Sequence, residues 1–284
     1  GLGDVYKRQE ITSWKDFGMS IERSRMEKLI EQAFEVFSKE PQLIKHESGD
    51  FLIVGDTHGD LDTTLNAIKI AERENLNLLF LGDYVDRGPK QIENIATLLE
   101  LKLSWGSRLT MLRGNHESAE MNKWYGFFSV VAAAYDAETY QEFAKLFSQL
   151  PYAALIRKEI FCVHGGIPRN LEKVDEIKEF PKGEIDPRHP KAFQLVWNDP
   201  CEDIDEFAPS WRGGGAMLFG KLAFERFMTL NNLKLMIRSH EPQDKGYGYL
   251  FDDRLLTVFS CRYYGIRPAG ALLRKDGIQI IYLE

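Results

Sequence analysis

The chain has 284 residues, of which 44% are hydrophobic and 12% aromatic, enough to bury a substantial core as one large α/β domain or two small ones. Its net charge of −7 argues against a nucleic-acid backbone as the main partner, because such partners require a basic surface. The sequence shows no apolar run approaching the ~20 residues of a membrane span and no basic-then-apolar leader. Its three cysteines form no CxxC pair, which indicates a reducing compartment. We expect a soluble cytoplasmic protein.

The first residues differ in character from the rest. Residues 1–9 lack hydrophobic periodicity and an initiator methionine, and Met19 is a plausible start. We therefore expect residues 1–18 to be a non-native or disordered leader, and residues 19–284 to form a single domain.

From Met26 to Phe37, apolar residues recur at spacings of three and four. This pattern predicts a helix that Ser20 caps and that ends before Pro41.

Strands and helices then alternate along the chain. Short apolar runs predict buried strands at 51–54, 78–81, 109–112 and 160–163. An amphipathic pattern from Leu61 to Ala71 and another at about 91–103 predict helices between the first three strands, and residues 121–128 and 132–150 are expected to be mainly helical. Strands are predicted again at 234–237 and 255–259, and a hairpin at 271–283 with its turn at Asp276-Gly277. The first half therefore predicts a parallel sheet with crossover helices.

Each of these four predicted strands is followed directly by a polar turn that contains glycine. These turns read GDTHG at 55–59, GDYVDRG at 82–88, RGNHE at 113–117 and HGG at 164–166. In open α/β sheets such turns gather at one edge, so ligands that are distant in sequence converge. Asp56 and His58, two residues apart, suit one metal ion.

Histidine usage supports a site at these turns. Of six histidines, four lie in the polar motifs: His58, His116, His164 and His240. Any single one is most simply a structural histidine. Four together beside Asp or Asn at strand ends indicate a functional cluster.

In order and wording, GDTHG, GDYVDRG, RGNHE and HGG, with RSHE at 238–241, resemble the motifs of the PPP family of metal-dependent serine/threonine protein phosphatases. The resemblance runs from about Ile30 to the C-terminus. It implies an α/β calcineurin-like metallophosphoesterase fold, with a central β-sandwich flanked by helices in four layers (αββα), as one catalytic domain over residues 19–284. It also implies hydrolysis of phosphoserine and phosphothreonine monoesters in proteins, by direct in-line attack of a hydroxide bridging two metal ions.

The resemblance implies six metal ligands: Asp56 and His58 on the first ion, Asn115, His164 and His240 on the second, and Asp83 bridging both. Two divalent ions are the implied cofactors. The mixed oxygen and nitrogen ligand set suits Mn, with Fe or Zn as alternatives, and is poorly suited to Ca.

The phosphate-binding residues follow from the same motifs. Arg87 and Arg212 are the implied clamps, since guanidinium forks match phosphate oxygens and stay charged. The assignment of Arg212 rests on the sequence WRGGG at 211–215, which is a less specific resemblance than the other motifs. Asn115 and either Tyr263 or Tyr264 are also expected to contact the phosphate.

The implied acid is His116, which protonates the leaving oxygen while Asp86 orients it through its other ring nitrogen. Arg113 and Glu117 are interpreted as structural flanks of this turn. Both arginines and the His-Asp pair thus belong to the expected catalytic set of His116, Asp86, Arg87 and Arg212.

One loop departs from the family pattern. Eukaryotic members usually carry an APNYC-like loop, where this chain has Cys261-Arg262-Tyr263-Tyr264-Gly265, and which tyrosine aligns is open. This difference and the chain's end at Glu284 favour an archaeal or bacterial member. Inhibitor sensitivity and the shape of the substrate groove stay undetermined.

Two other functions remain as alternatives. A symmetrical dinucleoside tetraphosphatase or another nucleotide phosphohydrolase shares the metal site, but such enzymes tend to lack the complete DRG and to have GNHD. A non-catalytic scaffold of the same fold typically loses a ligand or the acid, and none is missing here. The preference for serine and threonine over tyrosine, and any regulatory subunits, are not predicted.

Overall fold

A computed structural model describes residues 21–284. The predicted leader at 1–18 and the predicted cap Ser20 lie outside these residues. The described helices are α1 (Arg23–Lys39), α2 (Leu61–Arg73), α3 (Gln91–Trp105), α4 (Ala119–Tyr125), α5 (Phe127–Ala134), α6 (Ala137–Phe147), α7 (Pro190–Trp197) and α8 (Lys221–Leu230).

The strands are β1 (Leu43–His46), β2 (Phe51–Val54), β3 (Asn77–Phe80), β4 (Leu109–Met111), β5 (Ala153–Ile156), β6 (Ile160–Val163), β7 (Asp199–Pro200), β8 (Phe207–Pro209), β9 (Met217–Phe219), β10 (Leu235–Arg238), β11 (Tyr247–Leu250), β12 (Leu255–Val258), β13 (Ala269–Arg274) and β14 (Gly277–Tyr282). A six-stranded sheet has the order β1-β5-β6-β10-β12-β11, and a five-stranded sheet has the order β14-β13-β2-β3-β4. The pairs β2–β3 and β3–β4 are parallel, which confirms the predicted strand-helix-strand arrangement. A three-stranded sheet, β7-β9-β8, is added to these two.

Three hydrophobic clusters place the sheets and helices in four layers. Between the sheets, Ile53 and Leu79 of one sheet pack with Cys162 and Ile237 of the other. The opposite face of the five-stranded sheet packs on α1, α2, α3, α5 and α6, and that of the six-stranded sheet packs on α7 and α8. The strands buried on both sides are continuously apolar, as β2 and β6 show, because neither face meets water. The predicted αββα sandwich is confirmed.

Some elements differ from the sequence prediction. Strands β1 and β11 and the three-stranded sheet were not predicted, because these strands are only two to four residues long, and β1 also depends on pairing with the distant β5. The region predicted as two helices contains three, and Gly126, with φ +117°, separates α4 from α5. The C-terminal hairpin is confirmed, but its two-residue turn lies one position earlier, since Arg274 pairs with Gly277.

The cysteines and the helices can be compared with the predictions about thiols and membrane spans. All three cysteines are free, and Cys162 and Cys261 are buried. Burial raises the pKa of the Cys261 thiol to about 12, which keeps it protonated at neutral pH. Within residues 21–284, none of the helices is both long and apolar enough to cross a membrane.

Candidate active site

The turns after β2 and β3 are joined by backbone hydrogen bonds. The amides of Thr57 and His58 both donate to the carbonyl of Asp83, at 3.1 and 2.9 Å, and Gly59 donates to Tyr84 at 2.9 Å. Parallel neighbours bring their carboxyl ends to the same edge, so two motifs 27 residues apart become one surface. The convergence predicted from the sequence is therefore present.

Glycine is required where the second and third turns approach each other. A Cβ atom on Gly114 would lie 2.1 Å from Oδ1 of Asp83, and one on Gly82 would lie 2.5 Å from the amide nitrogen of Gly114. Both distances are far below contact, so neither position accepts a side chain. This close approach is what lets Asp83 and Asn115 serve one site.

Several site residues hold the backbone in the left-handed region. Positive φ angles occur at His58 (43°), Asp83 (56°), Asp86 (66°), Arg87 (69°) and His240 (74°). Such a conformation costs about 1–3 kcal/mol at a residue other than glycine. The fold sustains this strain at the turns that carry the polar side chains, as is typical of functional sites.

Glu117 and Arg113 hold these turns in place. Glu117 accepts hydrogen bonds from the amides of Asp83 (2.8 Å), Tyr84 (2.9 Å) and Gly114 (2.9 Å). The fully buried Arg113 donates to the carbonyl of Glu117 at 3.0 Å and to the hydroxyl of Tyr152 at 3.2 Å. Both residues act as the structural flanks that the sequence predicted.

One imidazole faces two carboxylates. His58 donates from Nδ1 to the carbonyl of Val85 at 2.8 Å, so Nε2 carries a lone pair. Nε2 lies 3.7 Å from Oδ2 of Asp56 and 3.6 Å from Oδ2 of Asp83. The other oxygen of Asp56 accepts from the hydroxyl of Ser239, which fixes the carboxylate. Three atoms that can bind a metal ion therefore face one another.

A second imidazole faces the same oxygen from the other side. His164 donates from Nδ1 to the carbonyl of Leu81 at 3.1 Å, which leaves its Nε2 as an acceptor. This Nε2 lies 3.5 Å from Oδ2 of Asp83, 2.9 Å from Oδ1 of Asn115 and 3.2 Å from Nδ1 of His240. Oδ1 of Asp83 accepts from the amide of His116 at 2.9 Å, so Oδ2 is the atom that faces both imidazoles.

These residues fit divalent metal ions. Burial lowers the pKa values of His58 and His164 well below normal, so both rings are neutral and face carboxylate oxygens as bare acceptors. Burial also raises the pKa of Asp83 well above its usual value, and the charge of Asp56 adds to the rise. Ligands of an ion bound at about 2.1 Å lie roughly 3.0–3.5 Å apart, close to the spacings found here. A buried cluster of neutral imidazoles and carboxylates is stabilised when cations lie among them.

The grouping in the structure is close to the predicted one. Asp83, His164 and His240 lie within the mutual distance that a metal ion needs, and so do His58, Asp83 and a ring nitrogen of His116. The second group brings His116, predicted as the acid, next to the predicted ligands. Since its Nδ1 is taken by a carboxylate, only one ring nitrogen of His116 faces this side.

The His116–Asp86 pair has the predicted geometry. Nδ1 of His116 donates to Oδ2 of Asp86 at 2.7 Å. Asp86 is itself fixed, because it accepts from Nδ2 of Asn122 at 2.9 Å and from the amide of Phe127 at 2.8 Å. Burial lowers the pKa of His116, and the bond to Asp86 opposes that effect. The arrangement fixes the tautomer and leaves Nε2 free to meet a substrate.

Arg212 is held by a residue that the sequence reasoning did not select. Nε of Arg212 donates to Oδ2 of Asp199 at 2.5 Å, and Arg238 donates to Oδ1 of Asp199 at 2.8 Å. Oδ1 of Asp199 also lies 3.9 Å from Nε2 of His240, a buried nitrogen without a hydrogen-bond partner among the described residues. Asp199 thus connects Arg212 to His240, one of the predicted metal ligands. In the sequence, Asp199 lies in the segment Asn198-Asp199-Pro200, for which no role was predicted.

Aromatic rings surround Arg87. Its guanidinium carbon lies 4.4 Å from the ring centroid of Tyr125 and 5.7 Å from that of Tyr264. Tyr264 also stacks on His58, with centroids 5.8 Å apart. Tyr263 is 51% exposed and lies beside Arg262. The structure therefore brings Tyr264 to the site, while Tyr125 was missed because the aromatic segment Trp124–Phe128 favoured core packing over a ring-binding patch.

The fold and the site define a metal-dependent phosphoesterase. The family model described as calcineurin-like phosphoesterase matches residues 49–244, and the chain belongs to that family. It is 38% identical to the serine/threonine-protein phosphatase 4 catalytic subunit of Saccharomyces cerevisiae over 79% of this chain and 73% of that protein. It is 34% identical to the serine/threonine-protein phosphatase 6 catalytic subunit of Caenorhabditis elegans, over 81% of this chain and 70% of that protein.

A solved structure agrees with these relatives. A protein serine/threonine phosphatase from Saccharomyces cerevisiae superposes with a TM-score of 0.86 at 28% identity, covering 94% of this chain and 91% of that one. These relatives are eukaryotic, so the expectation of an archaeal or bacterial member, which rested on the 261–265 loop and the chain end, is unsupported. A divergent surface loop is a poor indicator of origin because such loops vary most among relatives.

Proposed function

We propose that this chain is a metal-dependent phosphoprotein phosphatase that hydrolyses phosphoserine and phosphothreonine monoesters. The observation that carries this function is the buried cluster in which His58 and His164 present lone pairs to one oxygen of Asp83, beside the His116–Asp86 pair. The two curated relatives, both named serine/threonine-protein phosphatase catalytic subunits, support the choice of substrate. Because they are named catalytic subunits, we extend the proposal to regulatory partners for this chain.

The proposed ligands of a dinuclear centre are those of the sequence prediction: Asp56 and His58 on one side, Asn115, His164 and His240 on the other, and Asp83 between them. Divalent ions bound there would supply positive charge for the phosphoryl oxygens and would lower the pKa of a bound water towards neutral pH. We propose Mn, with Fe or Zn as alternatives, because the donors mix carboxylate, amide and imidazole.

The side chains around that centre bind and orient the phosphate. Arg87, held between two aromatic rings, and Arg212, held by Asp199, present guanidinium groups that match phosphate oxygens. Asn115 and Tyr264 are proposed to complete the phosphate contacts, and Tyr125 forms a wall beside them. The two fixed guanidinium groups and the stacked ring of Tyr264 restrict the orientation that the bound phosphate can take.

His116 is proposed to move the proton that the departing alkoxide needs. It does so as the imidazolium, in which Nδ1–H is committed to Asp86 and Nε2–H gives its proton to the leaving oxygen. Asp86, anchored by α4 and α5 through Asn122 and Phe127, keeps the ring from turning. A single domain over residues 19–284 is proposed to carry all these groups.

The test is steady-state hydrolysis by the metal-stripped protein after addition of Mn. A phosphoserine/phosphothreonine peptide, a phosphotyrosine peptide and diadenosine tetraphosphate are compared side by side. We expect Mn-dependent phosphate release from the first peptide, lost in Asp83→Asn. Turnover of the dinucleotide alone would assign the chain to the nucleotide phosphohydrolases, and metal binding without any turnover would assign it to the non-catalytic scaffolds.

A further inference from the structure

The loop between β12 and β13 carries Tyr264 over the active site. Residues 262–264 form one 3-10 turn, closed by a hydrogen bond of 2.9 Å from the amide of Gly265 to the carbonyl of Arg262. The ring of Tyr264 lies against His58 and meets Phe259 edge-on, with centroids 4.8 Å apart. The position of this short turn therefore decides where Tyr264 stands above Arg87 and His58.

Arg262 fastens this turn to the start of α2. Its amide donates to Oδ2 of Asp60 at 2.9 Å, and its guanidinium reaches both oxygens of Asp60 at 2.6 to 3.1 Å. The same guanidinium donates to Asp62 at 2.9 Å. Planar, bidentate contacts of this kind fix direction as well as distance.

The anchor on α2 is itself rigid. Asp60 is fully buried and caps the helix, accepting from the amide of Thr63 at 3.3 Å and from its hydroxyl at 2.9 Å. It follows Gly59 directly, so it shares a turn with His58. Arg262 thus ties Tyr264 to the very turn on which Tyr264 stacks.

Few other bonds restrain the turn. On one side Ser260 donates to the carbonyl of Ala269 at 2.6 Å, and on the other the amide of Ala269 donates to Phe259 at 3.0 Å. Between them, over residues 261–266, the hydrogen bonds found within the described chain that reach outside the loop all come from Arg262. Because these hydrogen bonds come from one residue, replacing Arg262 removes them together and leaves the loop to the packing of Cys261 and Tyr264.

We propose that Arg262 is a positioning residue, which holds Tyr264 in place against the phosphate of the substrate through Asp60 and Asp62. The inference rests on the proposed function, because it places a phosphate beside Tyr264. Asp60 directly follows the GDTHG turn, and Arg262 belongs to the loop that departs from the family pattern, so the pair connects the end of a family motif to a feature of this chain.

The first experiment is a double-mutant cycle on Mn-loaded protein with a phosphoserine/phosphothreonine peptide. Arg262→Ala and Tyr264→Ala should each raise KM by about tenfold, since misplacing a binding group costs this much or more, while the double variant should show no further rise. Arg262→Lys, which keeps one charge but loses the fork, should show an intermediate KM and covers the case in which the alanine variant fails to fold.

Arg267→Ala is the matched control. Arg267 lies in the same connection, and its guanidinium pairs with Glu284 at 2.9 and 3.0 Å, away from Asp60. It should leave KM unchanged. An equal KM effect of Arg267→Ala, or KM effects of Arg262→Ala and Tyr264→Ala that multiply, would overturn the proposal.

Hydrogen exchange separates positioning from general stability. In Arg262→Ala the hydrogen-bonded amides at positions 262 and 265 should exchange at least about tenfold faster, with the melting temperature and the exchange of α2 unchanged. Faster exchange throughout α2 with a lower melting temperature would assign Arg262 a merely structural role. If the wild-type protein hydrolyses no phosphopeptide, the proposed function fails, and calorimetric binding of inorganic phosphate to the same variants decides the role of Arg262, with unchanged affinity contradicting it.

Discussion

The floor and the outer wall of the active site are built in different ways. The floor consists of residues that are each at most 3% exposed: Asp56, His58, Asp83, Asn115 and His164. The outer wall consists of longer side chains: Arg87, Tyr125, Arg212 and Tyr264. In the wall, Tyr125 is 42% exposed, and the neighbour of Arg212, Trp211, is 83% exposed. The floor is fixed by backbone turns, whereas the wall is fixed by side-chain contacts between distant segments.

This difference indicates that the floor residues carry out the chemistry and that the wall residues bind the substrate. Floor residues are over-determined, as the three amide bonds to Glu117 and the glycine contacts at Gly82 and Gly114 illustrate. Wall residues such as Arg212 and Tyr264 each depend on one partner pair, Asp199 or the Arg262–Asp60 contact. We expect floor substitutions to abolish turnover or metal binding, and wall substitutions to change KM with little effect on stability.

The largest expected effect is at the centre of the floor. Asp83→Asn removes the charged oxygen that faces both His58 and His164, so we expect turnover to fall by at least about 10³-fold together with loss of bound metal. Phosphate release and metal content measure the two losses. Asp276→Asn, at an exposed hairpin turn, is the control and should behave as wild type. Full activity of Asp83→Asn would remove the bridging role.

The next effect separates proton transfer from metal binding. His116→Asn should lower kcat by about 10³-fold with metal content unchanged, because general acid catalysis is worth roughly 10²–10⁴-fold. The control is His189→Asn, since His189 caps α7 through the amide of Ala192 and asparagine caps well. Unchanged kcat in His116→Asn, measured with saturating peptide, would exclude His116 as the acid.

A smaller effect tests how the floor is held. In Glu117→Gln an amide group replaces one acceptor oxygen, so an amide N–H of Asp83, Tyr84 or Gly114 loses its partner. We expect metal affinity to fall about 10–100-fold and the free energy of unfolding by about 1–3 kcal/mol. Metal titration and denaturant unfolding are the measurements. Exposed Glu120→Gln is the control, and equal behaviour of the two variants would contradict the account.

The smallest effect belongs to the wall. Arg212→Lys loses the planar fork that joins Asp199 and the phosphate, so we expect kcat/KM to fall about tenfold, mainly through KM, with the melting temperature unchanged. Arg226→Lys, in an exposed pair with Glu206, should leave kcat/KM unchanged. A fall in kcat with metal loss would show that Arg212 belongs to the floor instead.

The same difference explains what the sequence predicted. The floor could be found because each ligand follows an apolar strand within a few residues, as Asp56 follows β2 and His164 follows β6. Local spacing and the family motifs therefore carried the fold and the ligand candidates. Asp199, Tyr125 and the choice of Tyr264 over Tyr263 depended on contacts across 13 to 206 residues of sequence, which no local pattern encodes.

The missed strands follow the same rule. β1 pairs with β5 across more than a hundred residues, and its half-buried sequence, Leu43-Ile-Lys-His46, is too short to show a period. The turn between α4 and α5 depends on the positive φ of Gly126, which a helical periodicity does not reveal. Local patterns predicted elements, and tertiary contacts decided their bounds.

The central claim is that the floor binds a dinuclear metal centre that the reaction requires. Its most direct test is to titrate Mn into the metal-stripped protein while measuring bound metal per chain and phosphate release from a phosphoserine/phosphothreonine peptide. The account predicts two ions per chain, with activity absent before metal addition and complete when both are bound. Full activity of the stripped protein, or saturation at one ion or none, would contradict it.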